Sequence, residues 1–287
     1  QILYEPRQAD YVKLAHEAAA ELVPARALGF CAGCPHRATY WAIKVALALD
    51  GRDGIVLGDI GCYSLGMGPS GFGQMKTLHA MGSGTGLACG FGQLNRFGLE
   101  QPVIAVCGDS TFYHAAMPAL ANAYYNGANF LLLLLDNSAT AMTGFQPHPG
   151  TGETATGKEA PVIDLKAICE VFGAHVEVVD PFDVAVTVGT LLKLLQEEKG
   201  VKVLILKREC ALVSAKHQKR LYQVEVDQDL CLGETCGCNR LCTRIFKCPG
   251  LMWDKAAGKA HIDEAICTGC GVCVEICPAS AIRKEVV

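Results

Sequence analysis

The stretch PVIAVCGDSTFYHAAMPALANAYYNGANFLLLLLDNSATAMTGFQPHPGTG, residues 102–152, decides the fold. Two apolar runs, residues 103–107 and 130–135, each end in polar residues, and the segment between them has the length of a helix. This pattern predicts one βαβ unit. Since ligands collect at the carboxyl ends of parallel strands, we expect Asp109 and Asn137, which follow the two strands, to face one ligand.

The residue types at these strand ends suit a magnesium ion. Mg²⁺ prefers an octahedron of oxygens, supplied by one or two carboxylates and by the phosphate groups that it helps to bind. A carboxylate from Asp109, the amide oxygen of Asn137 and a nearby backbone carbonyl match Mg²⁺ that holds a diphosphate. Gly108 would let the backbone approach that diphosphate closely.

The spacing of these residues resembles the thiamine-diphosphate fold motif, which usually begins Gly-Asp-Gly and ends Asn-Asn. This chain departs from the motif at Ser110 and Asp136. The resemblance implies that Asp109, Asn137 and the carbonyl of Ala139 are the Mg²⁺ ligands. The competing interpretation is a plain strand that ends in polar turn residues.

Composition excludes several classes of protein. Of the 287 residues, 51% are hydrophobic and 19% are charged, which is typical of a packed globular protein with large buried interfaces. The net charge of −4 and the lack of a basic run argue against a nucleic-acid partner. No apolar stretch reaches the roughly 18 residues of a membrane span, so we expect no membrane insertion.

The chain has 16 cysteines, and because residues 1–10 are polar we expect no export signal. It also lacks an initiator Met, so either the chain is processed or residues precede it. We expect a cytoplasmic, reducing compartment, in which closely spaced cysteines bind metal or take part in catalysis more often than they form disulfides.

The predicted elements alternate as in a doubly wound parallel α/β domain. We expect strands at residues 54–57, 103–107, 130–135, 175–179 and 202–206, and helices at 9–22, 37–49, 82–95, 113–125, 162–172 and 182–198. We predict a lead-in at 1–28, the α/β domain at 29–213, a polar basic linker at 214–222 and a small α+β domain at 223–287.

Two glycine-rich segments are further candidates for ligand binding. Gly82 and Ser83 open a helix, and a helix N-terminus preceded by glycine suits phosphate, although tight helix packing explains the glycine equally well. His79 could face the cofactor or be a core histidine. In the loop at 142–150, Thr143, Gln146 and His148 could touch the thiazolium or the substrate, or could satisfy the loop's own backbone.

The cysteine spacing in the last 21 residues is the most specific indication of function in the sequence. Residues 267–278 read CTGCGVCVEICP, the bacterial ferredoxin spacing, in which three thiolates bind one [4Fe–4S] cluster and the fourth binds the other cluster of a pair. We therefore predict that Cys267, Cys270 and Cys273 bind one cluster together with Cys248, and that Cys277 binds the other.

The first cysteine run of the tail is irregular. Residues 226–231 mirror residues 262–267, so Cys231 is predicted to be the first ligand, and Cys242 the third. Cys236 or Cys238 would be the second ligand, and we favour Cys238. The set for this cluster is then Cys231, Cys238 and Cys242 with Cys277.

Four cysteines near the predicted sheet edge remain, namely Cys31, Cys34, Cys62 and Cys210. The CxxC pair at 31–34 could by itself be a redox dithiol, half of a zinc site or half of an iron–sulfur site. A third, cofactor-proximal [4Fe–4S] cluster held by all four is the economical hypothesis. Four unrelated buried thiols, like those expected for Cys89, Cys107 and Cys169, are the alternative.

Taken together, these motifs resemble the alpha subunits of indolepyruvate:ferredoxin oxidoreductases, in the 2-oxoacid:ferredoxin oxidoreductase superfamily. The resemblance extends from about residue 28 to the end of the chain. It rests on segments 30–36, 58–62, 108–111, 136–137 and 141–150 and on the irregular first cysteine run. The order of Cys31, Cys34, Cys62 and Cys210 matches the proximal-cluster ligands of that superfamily.

This resemblance implies thiamine diphosphate, Mg²⁺ and [4Fe–4S] clusters as cofactors. The implied reaction is oxidative decarboxylation of a 2-oxoacid, indolepyruvate or another aryl 2-oxoacid, to the acyl-coenzyme A, with electrons passed singly to ferredoxin. Implied catalytic residues are His79, Thr143, Gln146 and His148. Implied cofactor contacts are Cys34, His36, Gly82, Ser83, Gly108, Asp109, Ser110, Asn137, Met142 and Thr143.

One part of such an enzyme does not fit in this chain. Its pyrimidine-binding domain, and the gamma/beta-type domain of the superfamily, would come from further residues or from separate subunits of a hetero-oligomer, so the single chain should be inactive. A non-redox thiamine enzyme would not need the cysteines. An electron-transfer subunit with a non-catalytic α/β domain is the principal alternative.

Overall fold

The computed structural model describes residues 10–20, 22, 28–197 and 199–287. Its main sheet contains five parallel strands in the spatial order β1-β2-β3-β5-β4. They are β1 (Ile55–Leu57), β2 (Val103–Gly108), β3 (Phe130–Asp136), β4 (His175–Val179) and β5 (Val201–Lys207). The predicted parallel α/β fold is therefore confirmed, with strand bounds within one residue of those expected.

The register of the sheet brings the ends of its central strands to one edge. Gly108 of β2 pairs with Leu135 of β3, and Asp136 of β3 pairs with Lys207 of β5. Asp109, Asn137 and the residues that follow β5 therefore leave the sheet side by side. This arrangement follows from parallel pairing, because every strand ends at the same edge.

The helices connect these strands on both sides of the sheet. They are α1 (Asp10–Ala20), α2 (Pro35–Asp50), α3 (Ser83–Phe91), α4 (Asp109–Thr111), α5 (Met117–Tyr125), α6 (Leu165–Val171), α7 (Val184–Gln196) and α8 (Ala211–Ser214). None of the helices in the described ranges is long and apolar enough to cross a membrane.

Helix ends differ from the predicted bounds for local reasons. Asp164 and Asp183 accept hydrogen bonds from the backbone N–H groups of Ala167 and Val186, so α6 and α7 begin after these caps. A π-helical turn at Phe112–Ala116 joins α4 to α5. The predicted helix residues Ala9, Glu21 and Glu198, and most of the predicted lead-in, lie outside the described residues.

The sheet separates two apolar layers because side chains alternate along each strand. Ala105, Cys107, Leu132 and Leu134 pack with α3, α5 and α6 on one face. Their neighbours Ile104, Val106, Leu131 and Leu133 pack with α2 and α7 on the other. The strand residues of both layers are buried, so the packed sheet holds in place the polar residues that follow its strands.

The small C-terminal region consists of two antiparallel strand pairs. In one pair, β6 (Tyr222–Val226) runs beside β9 (Ile282–Val286); in the other, β7 (Leu251–Asp254) runs beside β8 (Lys259–Ile262). Its core, which includes Phe246 and Val272, packs on Trp41 of α2. The region therefore sits directly on the helix that follows the CxxC pair.

Candidate functional site

The structure brings Asp109 and Asn137 to one cavity at the carboxyl edge of the sheet. The cavity has a volume of about 80 Å³. Its wall contains all three predicted Mg²⁺ ligands, Asp109, Asn137 and Ala139, and most of the predicted cofactor contacts, which are His36, Gly108, Asp109, Ser110, Asn137, Met142 and Thr143. A carboxylate, an amide and the backbone of Ala139 are thus gathered as the Mg²⁺ hypothesis requires, and their role as ligands stays a prediction.

Two buried histidines orient these polar groups. His148 Nε2 lies 3.1 Å from Asp109 Oδ2. Because the backbone N–H of Gly150 donates to His148 Nδ1 at 3.1 Å, the imidazole proton is on Nε2 and is donated to Asp109. Across the cavity, His36 Nε2 lies 3.5 Å from Asn137 Nδ2, and burial lowers the pKa of His36 to about 4. His36 is therefore neutral and can accept a hydrogen bond.

The electrostatics of this edge favour a cation. Asp109 and Asp136 are both buried at adjacent strand ends. Burial raises the pKa of Asp136, and the charge of Asp109 raises it further, while Lys207 at 3.8 Å opposes the effect. A divalent cation bound by Asp109 would relieve this repulsion, so the residues present fit Mg²⁺.

Several predicted contacts lie elsewhere. Gly82 packs against Ala115, where a Cβ would approach to 2.8 Å, and the N–H of Gly84 donates to Asp59 Oδ2 at 3.0 Å. Tight packing, with a carboxylate at the helix start, therefore accounts for the Gly82–Ser83 segment, and neither residue lines the cavity.

The structure places the four catalytic candidates in different surroundings. His79 is exposed and outside the cavity wall. Gln146 donates to the backbone carbonyl of Thr143 at 2.8 Å, so it bonds within its own loop. His148 contacts Asp109 and does not line the cavity. Among the four candidates, only Thr143 is in the cavity wall.

Sequence reasoning missed a buried network behind Asp109. The Tyr63 hydroxyl donates to Asp59 and lies 3.0 Å from Thr111 Oγ1, and Asp59 is fully buried. Burial raises the pKa of Asp59. The sequence did contain a signal for this network, because a Gly-Asp pair occurs at the end of β1, at Asp59, as it does at the end of β2, at Asp109.

The four leftover cysteines come together beside the first cavity. Cys31, Cys34, Cys62 and Cys210 line a second cavity of about 260 Å³. The two cavities share five wall residues, and these are His36, Cys62, Asn137, Ala141 and Met142. The backbone N–H of Cys210 donates to the Asn137 carbonyl at 3.0 Å, which ties the cysteine site to the proposed Mg²⁺ site. Cys34 lines only this second cavity.

These thiols suit a cluster better than a redox pair. All are free, and burial raises the pKa of Cys34 to about 12 and that of Cys62 to about 11. Such thiols are poor nucleophiles and lose their protons when metal binds. Spread around a cavity, they match a four-iron cluster, in which each iron takes one thiolate.

The tail cysteines form two further sets. Cys248, Cys267, Cys270 and Cys273 interact electrostatically with one another, and burial raises the pKa of Cys270 to about 11. The second set, Cys231, Cys236, Cys238, Cys242 and Cys277, lines a small cavity. The second set contains the four predicted ligands and also Cys236, so the choice between Cys236 and Cys238 is not made by their grouping, and the ligand roles stay a prediction.

Within the described residues, no three His, Cys, Asp or Glu side chains are grouped so that they could hold one metal ion. Neither predicted arrangement needs such a group. The Mg²⁺ set contains a single carboxylate, and in a four-iron cluster each thiolate binds its own iron atom.

Backbone hydrogen bonds distinguish Cys238 from Cys236. Burial acts to raise the pKa of Cys238, but hydrogen bonding from the backbone of Leu241 and from the side chain of Cys236 lowers the pKa overall. The hydrogen bond to Cys238 raises the pKa of Cys236. Cys238 is therefore the better thiolate.

We expect Cys238→Ala to remove one cluster, about four iron atoms, whereas Cys236→Ala should retain the iron. The two variants form a matched pair, because the same change is made two residues apart. Iron analysis of the anaerobically purified proteins measures the difference. The reverse pattern would assign the ligand to Cys236.

Comparison with known proteins places this site in a family. Residues 59–206 match the family model described as thiamine pyrophosphate enzyme, C-terminal TPP binding domain, and residues 260–283 match the 4Fe-4S binding domain. The solved 2-oxoglutarate:ferredoxin oxidoreductase from Magnetococcus marinus shares the fold, with a TM-score of 0.53 and 20% identity over 66% of this chain and 65% of that chain.

Curated relatives are similar across most of the chain. Indolepyruvate oxidoreductase subunit IorA from Pyrococcus horikoshii is 39% identical over 92% of this chain, and IorA from Archaeoglobus fulgidus is 38% identical over 98%. The chain spans about two fifths of the length of these relatives, 41% and 42% respectively. The resemblance stated from the motifs is confirmed, and the chain belongs to the thiamine pyrophosphate enzymes through their C-terminal TPP binding domain.

Proposed function

We propose that this protein catalyses thiamine-diphosphate- and iron–sulfur-dependent oxidative decarboxylation of a 2-oxoacid. The shared wall of the two cavities is the observation that supports this proposal most directly. His36, Cys62 and Asn137 border both the predicted diphosphate site and the four-cysteine site. A decarboxylating cofactor and an electron acceptor would then be neighbours, which an oxidative reaction needs and a non-redox thiamine enzyme does not.

In this proposal, Asp109, Asn137 and the Ala139 carbonyl hold Mg²⁺ and the diphosphate. When bound, thiamine diphosphate supplies a carbanion sink for decarboxylation. His148 fixes the Asp109 carboxylate through its Nε2 proton, and Ser110 N–H donates to Asp109 Oδ1 at 2.7 Å. Both oxygens are therefore oriented before a metal ion binds, and the burial of Asp109 limits access of water to it.

The loop at 140–146 would form the substrate side of the site. Thr140 Oγ1 donates to Ser110 Oγ at 2.8 Å, which anchors this loop to the end of β2. Thr143 lies in the cavity wall, and Thr143 Oγ1 donates to Gln146 Oε1 at 2.6 Å. Thr143 is our candidate for contact with the thiazolium or the substrate.

The cysteines would hold one-electron carriers in three sites: the four-cysteine cavity, the Cys248 set and the Cys231 set. The two CxxC loops of the first two sites touch each other, because a Cβ on Gly33 would lie 2.0 Å from Thr268 Oγ1. Neighbouring sites of this kind suit transfer of electrons out of the catalytic centre to an external ferredoxin.

We further propose indolepyruvate or another aryl 2-oxoacid as substrate and coenzyme A as acyl acceptor, in a cytoplasmic hetero-oligomer without nucleic acid or membrane. The identity to the IorA relatives supports the substrate class. The described residues contain one five-stranded sheet and two two-stranded sheets, so a second sheet domain for the aminopyrimidine would come from other residues or another subunit.

The proposal predicts the cofactor content of the anaerobically purified complex. We expect about 12 iron atoms, with matching acid-labile sulfide, and one thiamine diphosphate per chain. About 8 iron atoms with thiamine diphosphate would remove the four-cysteine site. Iron without thiamine diphosphate would support the alternative, an electron-transfer subunit with a non-catalytic α/β domain.

A further inference from the structure

Arg37 is a buried cation between two sets of predicted iron ligands. It lies in the first turn of α2, three residues after Cys34, and only 2% of its surface is exposed. A guanidinium stays protonated in proteins, so this position holds a permanent positive charge. No role in the reaction proposed above accounts for burying it there.

The guanidinium joins the loops that carry the two sets. Arg37 Nη1 donates to the backbone carbonyl of Phe246 at 2.8 Å, and Nη2 donates to the carbonyl of Phe30. Phe30 immediately precedes Cys31, and Phe246 lies two residues before Cys248. Arg37 Nε is buried without a hydrogen-bond partner. Because both acceptors are neutral carbonyl oxygens, these hydrogen bonds provide no negative charge to balance the guanidinium of Arg37.

The same two loops also meet at a backbone position. A side chain at Gly33 would collide with Thr268, and Thr268 lies between Cys267 and Cys270 just as Gly33 lies between Cys31 and Cys34. The close approach keeps the four-cysteine cavity and the Cys248 set adjacent, with Arg37 beside both.

The groups that can balance the charge of Arg37 are cysteines. Burial lowers the pKa of Arg37, and Cys248, Cys34, Cys31 and Cys270, two from each set, raise it when they are thiolates, as they would be on binding iron. None of the ion pairs formed among the described residues includes Arg37. A cluster with four thiolates is negatively charged and gains a further negative charge on reduction. Net charge and hydrogen bonding set its potential.

We propose that Arg37 is a shared positioning residue that raises the reduction potentials of the two clusters beside it, through its charge and through its hydrogen bonds to both ligand loops. This inference rests on the cluster assignment of the proposed function. A nearby buried cation stabilises the more negative, reduced state of each cluster, because charges interact strongly in a low-dielectric interior. The third cluster, at the Cys231 set, should be affected least.

Potentiometric titration followed by electron paramagnetic resonance tests the proposal on the anaerobically purified complex containing the full-length chain. In Arg37→Gln, we expect the potentials of two of the three clusters to fall by more than about 59 mV, a tenfold change in the ratio of reduced to oxidised cluster for one electron. Arg37→Lys keeps the charge and should restore most of the shift.

Arg96→Gln is the matched control. Arg96 also donates to a backbone carbonyl, that of Asn126 at 2.9 Å, but it lies at the surface of the same domain. This variant should leave all three potentials unchanged.

Unchanged potentials in Arg37→Gln with full iron content would overturn the proposal, as would an equal shift of all three clusters. Loss of the same cluster from both Arg37→Gln and Arg37→Lys would show that Arg37 only holds the ligand loops in place. That result would also overturn the proposal. A wild-type complex without iron would instead contradict the proposed function, so the two failures are distinguishable.

Discussion

Asp109→Asn is expected to weaken binding of thiamine diphosphate and Mg²⁺ by roughly 100-fold and, with it, 2-oxoacid oxidation by the complex. The substitution keeps the size of the side chain and a carbonyl oxygen for the Ser110 N–H, so the fold should survive. It removes the only carboxylate of the proposed Mg²⁺ set. Losing one partner of a buried charge interaction costs about 3 kcal/mol, which corresponds to a roughly 100-fold loss of affinity.

Asp136→Asn is the control, since it makes the same chemical change at the end of the neighbouring strand. Asp136 does not line the cavity, and asparagine at this position restores the usual thiamine-diphosphate motif. Affinity should change by less than about tenfold, or 1.4 kcal/mol. Calorimetric titration with thiamine diphosphate and Mg²⁺ compares the variants. Equal losses in both would show that general charge at this edge, rather than Asp109 as a ligand, determines binding.

The central βαβ unit could be predicted from the sequence because its signals are local. Apolar runs define β2 and β3, and parallel pairing then places Asp109 and Asn137 together without any knowledge of side-chain contacts. The same argument put Cys62 and Cys210 at this edge. The fold class, which depends on these periodicities, is confirmed.

The positions of single polar side chains could not be predicted in the same way. Gly82 has φ +84° and lies against Ala115, a contact between segments that are distant in sequence. His148 was expected either to contact the thiazolium or the substrate or to satisfy its own loop, and it also contacts Asp109, 39 residues away, which neither alternative included. Whether a loop histidine faces a ligand or a carboxylate depends on tertiary packing, which no local pattern encodes.

Cysteine grouping was more predictable because ligand spacing is itself a local signal. The regular run at 267–277 fixes its set, whereas the irregular run left Cys236 and Cys238 unresolved. The two residues are separated only in the folded loop, where hydrogen bonds from Leu241, Cys236 and Arg240 lower the pKa of Cys238. Arg37 gave no signal in the sequence, because its neighbours come from opposite ends of the chain.

Cys62→Ala is expected to remove the four-cysteine cluster and to reduce electron transfer to ferredoxin to background. Alanine cannot bind iron, and the remaining thiols, Cys31, Cys34 and Cys210, provide one ligand too few for four iron atoms. Iron content should fall from about 12 to about 8 atoms per chain. Because Cys62 also borders the first cavity, thiamine diphosphate content must be measured in the same sample, and we expect it to be retained.

Cys89→Ala provides the comparison for this experiment. Cys89 is also a free cysteine, but it is buried in α3 and accepts a hydrogen bond from Asn122 Nδ2 at 2.9 Å, away from both cavities. Its removal should leave iron content and turnover unchanged. If Cys62→Ala keeps all of its iron and transfers electrons at the wild-type rate, the four thiols are unrelated to catalysis. If Cys62→Ala still decarboxylates the 2-oxoacid but transfers no electrons, the thiamine site is intact. The cluster bound by Cys62 is then the acceptor of the electrons.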